Sequence, residues 1–485
     1  TWQALPRVFF HPLAIEHFRK YLTGKYSSDM LEKRLGFSDV RYLEPPQYHL
    51  PMSKIDDPLF QEWTDFRCQQ LADYYGEMKQ YIQSLDTSVV IDVNPHGMDG
   101  TNSMWNQSID YPRLLNNTEF FWTEGEKTFL SEDGVLISKI RSYKMARSLG
   151  NRIFVTTKNP LEMGESLAYN RQSIGMVGEF LDAPEIPAVQ QRYIQFFHKH
   201  FDYYRRVDYV ADVAVLHSYA TMAFNNDRPY QSTFLVEQSL IQGKVPFDLI
   251  FDQHLSDLSR YKVLVLADQQ CLSDGQIELI SSFVKNGGGL VVTEHTSLYT
   301  DWRLRRRDFG LKELLQLEAP VWHGNHLPED ILPIPIERKT AGKGRVVYVP
   351  AVKPAMEKPA TEAMVEPYWK LPLNHKDLIE SVTWAANDKL SVHAEAPLTV
   401  TLELTRKADD SALMLHLVNY DLKNPSVRDI SLRMQVPEGK KATRVTVMTP
   451  DGASDRGIDF RQQSQEAVFA VPELAVYDLV VVELG

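Results

Sequence analysis

The sequence has little of what marks several classes of protein. It contains two cysteines, Cys68 and Cys271, among 485 residues, too few for a disulfide framework or a four-cysteine zinc site. Its longest apolar runs, such as 477–482, have the length of a strand and fall far short of the roughly 20 residues that a membrane-spanning helix requires. We therefore expect a soluble protein without a membrane partner, and the scarcity of thiols leaves its redox compartment open.

Excess positive charge is also absent. Lys and Arg number 52 against 64 Asp and Glu, so the net charge is −12 and the electrostatic footprint of a nucleic-acid-binding protein is missing. No His-Glu-x-x-His, EF-hand or cysteine-rich ligand pattern occurs, so nothing implies a metal or another cofactor. The first residues, Thr1-Trp2-Gln3, show no basic and apolar leader pattern, which predicts that an export signal is absent or already removed.

What the chain does contain is enough apolar material for about three domains at the usual ~150 residues each. Residues 1–207 alternate short apolar runs with amphipathic stretches, which is typical of βα units and a mainly parallel sheet. Helices are predicted over 60–85 and 135–149. The predicted strands lie at 7–10, 88–93, 119–123, 152–156 and 173–177.

A region at 208–353 has a tighter strand–helix alternation, which favours a doubly wound, Rossmann-like α/β domain. The glycines at 287–289 follow a helix and precede a strand, which favours a helix stop over a nucleotide-binding turn. Cys271 follows a strand without the flanking glycines of a nucleophile elbow, so a buried or inert thiol is favoured over a glutaminase-type nucleophile.

The last part of the chain changes character twice. Residues 354–375 are rich in proline and are predicted to be a linker. Residues 376–485 begin with a short helix and continue with alternating strands, which predicts a C-terminal antiparallel β-sandwich.

The order of a barrel portion, a Rossmann-like domain and a small sandwich resembles the β-galactosidases of glycoside hydrolase family 42. The most similar stretches lie in the central region: 212–218, 245–251, 261–267 and 286–293. Looser similarity extends to 18–22, 63–67 and 415–420. The resemblance implies an α/β fold with a partial or complete (β/α)₈ TIM-type barrel, a central trimerisation domain and hence a homo-oligomer, with a trimer favoured.

The sequence departs from that family at both catalytic positions. The family places an Asn-Glu pair at the end of barrel strand four, and no Asn-Glu dipeptide occurs here. The family also places a nucleophilic Glu at the end of strand seven, where the matching run, 152–158, ends without a carboxylate. We therefore expect residues 1–207 to lack the beginning of the barrel.

Glycoside hydrolysis usually requires two carboxyl groups, and in a barrel these lie at the carboxyl ends of the strands. Glu124 directly follows the aromatic run 120–123 and is the leading catalytic candidate, against the alternative of a surface loop carboxylate. Glu126, two residues further on, is the substitute candidate.

Six further residues are candidates for binding substrate. Asp92, Asn94 and His96 follow another strand, where Asn94 is as well suited to a turn with Pro95. Trp105 and Trp122 could stack on a sugar ring or serve as core residues. Glu165 could bind substrate or complement the dipole of a helix.

The leading hypothesis is thus a glycoside hydrolase, β-galactosidase-like, that acts on an oligo- or polysaccharide with paired carboxylates and no cofactor. The alternative is a non-catalytic carbohydrate-binding or assembly protein derived from such an enzyme. We expect a bacterial-type cytoplasmic or periplasmic location. Sugar, linkage and stereochemical outcome are left open.

Overall fold

The structure is a computed structural model that describes residues 11–46, 53–124, 126–170, 172–177, 186–324, 328–359, 363–452 and 455–485. The predicted strand at 7–10 lies outside these residues. Within them, no helix is both long and apolar enough to cross a bilayer. The described chain contains helices and several separate sheets, which confirms the α/β class.

The chain begins with three helices, α1 (Pro12–Lys25), α2 (Ser28–Leu35) and α3 (Pro58–Leu85). Side chains cap all three: His11 accepts from the N–H of Leu13, Ser27 from that of Met30 and Asp57 from that of Phe60. The rings of Phe18 and Trp63 meet edge to face with centroids 5.0 Å apart. This aromatic contact fixes α1 against α3.

The rest of the N-terminal region contains short strands separated by helices. The strands are β1 (Asp92–Val93), β2 (Phe120–Trp122), β3 (Phe129–Leu130), β4 (Leu136–Ile137), β5 (Arg152–Phe154), β6 (Thr156–Thr157), β7 (Met176–Val177) and β8 (Val207–Tyr209). The helices are α4 (Ser103–Gln107), α5 (Tyr111–Leu115), α6 (Ile140–Ser148), α7 (Pro160–Tyr169) and α8 (Ala188–Lys199).

A parallel sheet in the order β1-β2-β5 positions the candidate site. Phe121 and Ile153 point into the core, whereas Phe154 on the opposite face is 42% exposed. Since parallel strands end at the same edge, the loops that follow β1 and β2 meet there.

Several predicted elements differ in extent from the structure: the strand expected at 173–177 is limited to β7, and the strand expected at 152–156 is divided between β5 and β6. The strand expected at 88–93 is limited to β1, because Ser88 donates to the Asp86 side chain in a turn. The helix expected at 135–149 starts only at Ile140, because 136–137 pair with 129–130 in a hairpin. Gly134, with φ +76°, makes that hairpin turn possible.

The central region forms a six-stranded sheet in the order β10-β9-β11-β12-β14-β13, in which only β13 is antiparallel to its neighbour. Its strands are β9 (Val213–His217), β10 (Phe247–Phe251), β11 (Val263–Leu266), β12 (Gly289–Thr293), β13 (Glu337–Ala341) and β14 (Gly344–Val349). Its helices are α9 (Tyr219–Phe224), α10 (Arg228–Gln242), α11 (Asp274–Lys285) and α12 (Lys312–Leu315). The first four strands are buried throughout, as their continuous apolar runs require.

The C-terminal region starts with α13 (His375–Ala385) and then contains only strands. These are β15 (Val392–Glu395), β16 (Val400–Lys407), β17 (Ala412–Asn419), β18 (Val427–Gln435), β19 (Ala442–Met448), β20 (Arg456–Ile458), β21 (Phe460–Gln463), β22 (Glu466–Leu474) and β23 (Tyr477–Leu484). They form a four-stranded sheet, β15-β18-β22-β21, and a six-stranded sheet, β20-β19-β23-β17-β16-β8. Leu415 from one sheet and Leu432 from the other share an apolar cluster.

Strand β8 lies across the predicted boundary between 207 and 208, and it pairs with β16 of the C-terminal region. The predicted linker, 354–375, is also more tightly held than expected. Met364 and Trp369 are buried in the main core, and the Trp369 indole N–H donates to the carbonyl of Met364 over 2.6 Å. The described residues of this segment include a short 3₁₀ helix, Glu366–Tyr368, and Met364 and Trp369 fix it in the core, while the bounds of the linker, 354–375, stay a prediction.

Candidate active site

A cavity of about 250 Å³ lies at the shared carboxyl edge of β1 and β2. Three stretches of chain enclose it: the loop after β1, the loop after β2 and residues 365–367. Its lining residues are His96, Asp99, Glu124, Glu126, Lys127, Val365, Glu366 and Pro367. The structure thus brings together both predicted catalytic residues and one of the predicted ligands.

The carboxyl group of Glu126 is held by two hydroxyl groups. The Thr123 hydroxyl donates to Oε2, and the Ser142 hydroxyl donates to Oε1 over 2.7 Å. Burial and, less, Asp99 raise the pKa of Glu126 to about 7 against the opposing effects of the two hydroxyls and Lys139. Glu126 therefore keeps its proton close to neutral pH, which suits a general acid.

Gly97 allows the loop after β1 to approach Glu126 closely. A Cβ at this position would lie 1.9 Å from Oε2 of Glu126 and 2.3 Å from Oγ of Ser142. The loop is tied down on both sides, since the Met98 N–H donates to Ser142 over 2.7 Å and the Tyr111 hydroxyl donates to the Gly97 carbonyl over 2.8 Å. The absence of a side chain at 97 thus determines where Glu126 sits.

Glu124 and His96 occupy the same cavity in a more open setting. Glu124 is exposed and His96 is half-buried. His96 has a left-handed backbone with φ +60°, which is uncommon for a residue other than glycine and frequent at functional sites. A carboxyl group open to solvent and one held by two hydroxyl groups therefore line the same cavity.

Sequence reasoning missed Asp99 and Glu366. Burial raises the pKa of Glu366, and Asp99 raises it further, while the backbone N–H of Lys127 donates to its carboxylate and opposes the rise. Asp99 also acts on Glu126, so these three carboxyl groups form one electrostatic cluster. The Asp-Gly pair at 99–100 is a weak sequence indication of a functional loop. Glu366 lies in the segment predicted to be a linker, where no sequence pattern indicates a site residue.

Asp92, Asn94 and Trp122 lie outside the cavity lining. Asp92 and Asn94 are exposed on the same side of the chain. Trp122 is half-buried, with its ring centroid 6.1 Å from that of Phe154 on the neighbouring strand. A substrate role for these three residues is untested.

Two predicted ligands are core residues, which corrects the prediction. Trp105 is buried, and its indole N–H donates to the Ala223 carbonyl. Glu165 has no exposed surface, and it accepts from Thr128 over 2.8 Å and from the Tyr420 hydroxyl. A side chain enclosed in this way cannot touch a sugar, and Glu165 instead joins α7 to the C-terminal region.

Cys271 fits the prediction of an inert thiol. It has no exposed surface, and burial raises its pKa to about 11, so the thiolate that a nucleophile needs is disfavoured. Among the described residues, no group of three or more His, Cys, Asp and Glu side chains is arranged to hold a metal ion.

Comparison with known proteins gives no match among protein-family models and none among curated proteins. Solved structures do match over nearly the whole chain. A GH42 β-galactosidase from G. stearothermophilus superposes with a TM-score of 0.64 at 14% identity, covering 97% of this chain and 76% of that one. The β-galactosidase from Bacillus circulans sp. alkalophilus gives a TM-score of 0.65 at 12% identity, covering 98% and 77%.

An α-L-fucosidase isoenzyme from Paenibacillus thiaminolyticus is similar as well, with a TM-score of 0.57 at 14% identity over 89% of this chain and 73% of that one. The fold is therefore that of the glycoside hydrolases that this comparison finds. More specifically, the chain has a fold like that of the GH42 β-galactosidases, and it spans about three quarters of their length.

Proposed function

We propose that this protein is a glycoside hydrolase whose two catalytic carboxyl groups are Glu126 and Glu124. The observation that carries the proposal is their shared cavity at the carboxyl edge of a parallel sheet, in a fold like that of β-galactosidases. Burial makes Glu126 a proton donor and two hydroxyl groups hold it in place, whereas Glu124 is open to solvent.

In the proposed reaction Glu126 gives its proton to the glycosidic oxygen as the bond from that oxygen to the anomeric carbon breaks. The Glu124 carboxylate either attacks the anomeric carbon or takes a proton from an attacking water. If Glu124 attacks, water then displaces it from the anomeric carbon and gives its proton to the Glu126 carboxylate, which restores both groups. If Glu124 instead takes the proton of the attacking water, Glu124 releases that proton to solvent and Glu126 takes one up. In both routes the hydroxyl group of water ends on the sugar. His96 and Asp99 are placed to accept or donate hydrogen bonds to sugar hydroxyls.

The substrate is proposed to be a β-galactoside or a related glycoside in an oligo- or polysaccharide. Solved structures with this fold are named as β-galactosidases, an α-L-fucosidase and an exo-carrageenase, all enzymes that act on carbohydrates. A cavity of about 250 Å³ has room for one sugar ring.

The sheet β1-β2-β5 is proposed to be part of a (β/α)₈ barrel. Its strands are parallel and neighbouring, and helices separate them along the chain. Phe120, Trp122 and Phe154 lie on the face opposite the buried Phe121, where a closed barrel would have its interior. The six-stranded central sheet is proposed as the Rossmann-like trimerisation domain, and the two C-terminal sheets as the β-sandwich.

The test is a screen of 4-nitrophenyl glycosides, including the β-galactoside and the α-L-fucoside, alongside calorimetric titration with the free sugars. Turnover of at least one glycoside is expected. Sugar binding without any turnover would contradict the proposal and favour the non-catalytic carbohydrate-binding protein, which the missing carboxylate at the end of 152–158 already suggests.

A further inference from the structure

A second cavity, of about 280 Å³, lies between residues 98–113 and the central sheet. Its central wall is formed where β9 and β10 end, by His217, Tyr219, Phe251 and Asp252. The carboxyl ends of neighbouring parallel strands are where open α/β sheets bind ligands. Gln253, at one side of the lining, is exposed, so the cavity reaches the surface there.

Aromatic and sulfur-containing side chains form most of the remaining wall. Tyr230 and Phe234 of α10 are stacked, with centroids 6.0 Å apart and ring planes 14° apart. The other apolar residues of the lining are Met98, Met104, Ile109, Tyr111, Pro112 and Met222. A wall of this kind accepts a flat apolar ring.

Acidic groups outnumber basic ones at the polar side of this cavity. Arg113 is shared between Asp110, 2.9 Å away, and Asp65, 2.7 Å away. Asp65 and its other partner, Lys25, lie outside the lining of this cavity. Within the lining, the carboxyl groups of Asp110 and Asp252 face the single guanidinium group of Arg113, and among the described residues Asp252 has no ion-pair partner of its own.

The pKa values of the two carboxyl groups that line the cavity, Asp110 and Asp252, are both raised. Burial raises the pKa of Asp110 to about 7, against the effect of Arg113. Burial raises the pKa of Asp252 to about 6, against hydrogen bonds from the Tyr219 backbone N–H and the Ser218 and Gln276 side chains and, less, against Arg113. His217 does not compensate them, because it is bonded to Glu237 over 2.5 Å, and Glu237 in turn pairs with Arg141. A buried carboxyl without a cation is costly to ionise, and an entering cation would remove that cost.

We propose that this cavity binds a compact aromatic amine, with its ring against Tyr230 and Phe234 and its ammonium group facing Asp252 and Asp110. The volume agrees with this size, since a cavity of about 150 Å³ holds benzene and about twice that volume holds one ring with a short side chain. Arg113, Tyr219 and Asp252 lie between this cavity and the more polar one beside α1 and α2, since they line both.

This site is distinct from the candidate active site. The loop 96–101 divides the two cavities, because Met98 and Gly100 line one while His96 and Asp99 line the other. The proposal therefore stands whether or not the protein hydrolyses glycosides.

The test is calorimetric titration of the full chain with 2-phenylethylamine, 2-phenylethanol and 3-phenylpropionate, which share a ring and differ in charge. The amine is expected to bind at least about tenfold more tightly than the alcohol, which corresponds to ~1.4 kcal/mol, and the anion is expected not to bind. Equal affinity for amine and alcohol, or no binding of either, would overturn the proposal.

Two variants locate the binding. Asp252→Asn removes the unpaired charge, and Gln253→Trp fills the entrance from an exposed position that leaves the core unchanged. Each should weaken amine binding at least about tenfold, whereas Asp257→Asn, an exposed carboxylate in the same loop, should not. Unchanged binding in both variants, or displacement of the amine by galactose, would show that the amine does not occupy this cavity.

Discussion

At the scale of single residues, the chemistry depends on how a few polar groups are enclosed. Glu124 and Glu126 are two residues apart in sequence, yet one is exposed and the other is held by Thr123 and Ser142. Sequence could identify both, because they follow an aromatic strand. It could not assign their roles, since the pKa of Glu126 depends on Ser142 and Asp99, which come from other elements.

Gly97→Ala is expected to lower the kcat/KM of glycoside hydrolysis by at least about tenfold, because the new Cβ overlaps Oε2 of Glu126. The measurement is steady-state kinetics on whichever aryl glycoside the wild-type protein accepts. Gly24→Ala is the matched control, since a Cβ there meets no atom within 4 Å. Wild-type activity in Gly97→Ala would show that Glu126 does not need this close approach.

Asp478 gives a prediction on stability. Burial raises its pKa from the ordinary 3.8 to about 7, with Asp451 raising it further and Thr449 opposing the rise, and no described residue bonds its Oδ2. The folded state therefore holds a proton that the unfolded chain has lost, so stability falls as pH rises from about 4 to about 7.

Asp478→Asn removes this penalty. It should raise the free energy of unfolding at pH 8 by roughly 1–3 kcal/mol over the wild type, with a much smaller gain at pH 4. Urea denaturation at the two pH values measures the difference. An equal effect at both would mean that ionisation of Asp478 is not the cause.

At the scale of elements, periodicity predicts long helices and buried strands well. The helix expected at 60–85 is α3, and the central strands follow from continuous apolar runs. Sequence patterns did not predict strands whose pairing depends on residues elsewhere in the chain. Strand β4 pairs with β3 in a hairpin, and β8 pairs with β16 of the C-terminal sheet. The core position of 363–369 also depends on contacts that no local pattern records.

Buried ion pairs join elements from all three regions. Glu403 of β16 lies 2.7 Å from both Lys144 and Arg147 of α6, and Arg147 also pairs with Asp248 of β10. All four side chains are almost entirely enclosed, so none of them can be hydrated if a partner is lost.

Glu403→Ala is expected to reduce the free energy of unfolding by about 3–5 kcal/mol, because it leaves two buried cations without their shared carboxylate. Chemical denaturation measures this loss. Glu313→Ala, which removes an exposed partner of Lys285, is the control and should change little. A small effect of Glu403→Ala would show that water or Asp248 compensates both cations.

At the scale of the whole molecule, the central and C-terminal regions each contain an apolar cluster of their own, and a further, larger cluster joins all three regions. One apolar cluster extends from Phe18 through Val215 to Val481, and the candidate active site lies against it. The position of the site is thus set jointly by the sheet β1-β2-β5 and by the segment after the central sheet. Composition and length can predict the number of domains. They cannot predict that residue 366 lies at the candidate site, because that position depends on packing between the regions.

Assembly is a further property at this scale. We propose a homotrimer formed through the central sheet region, the assembly that the sequence resemblance to family 42 β-galactosidases implies. Multi-angle light scattering is expected to give about three times the mass of one chain at micromolar concentration. A stable monomer at that concentration would contradict the trimer without affecting the assignment of Glu126.

The most direct test of the central claim is the dependence of kcat/KM on the leaving group in Glu126→Gln. A 2,4-dinitrophenyl glycoside departs without protonation, whereas a phenyl glycoside needs an acid. The account predicts a loss of about 10²–10⁴-fold on the phenyl glycoside, little loss on the dinitrophenyl one, and disappearance of the wild-type decline in activity as pH rises through about 7. Equal losses on both substrates, or none on either, would show that Glu126 is not the proton donor.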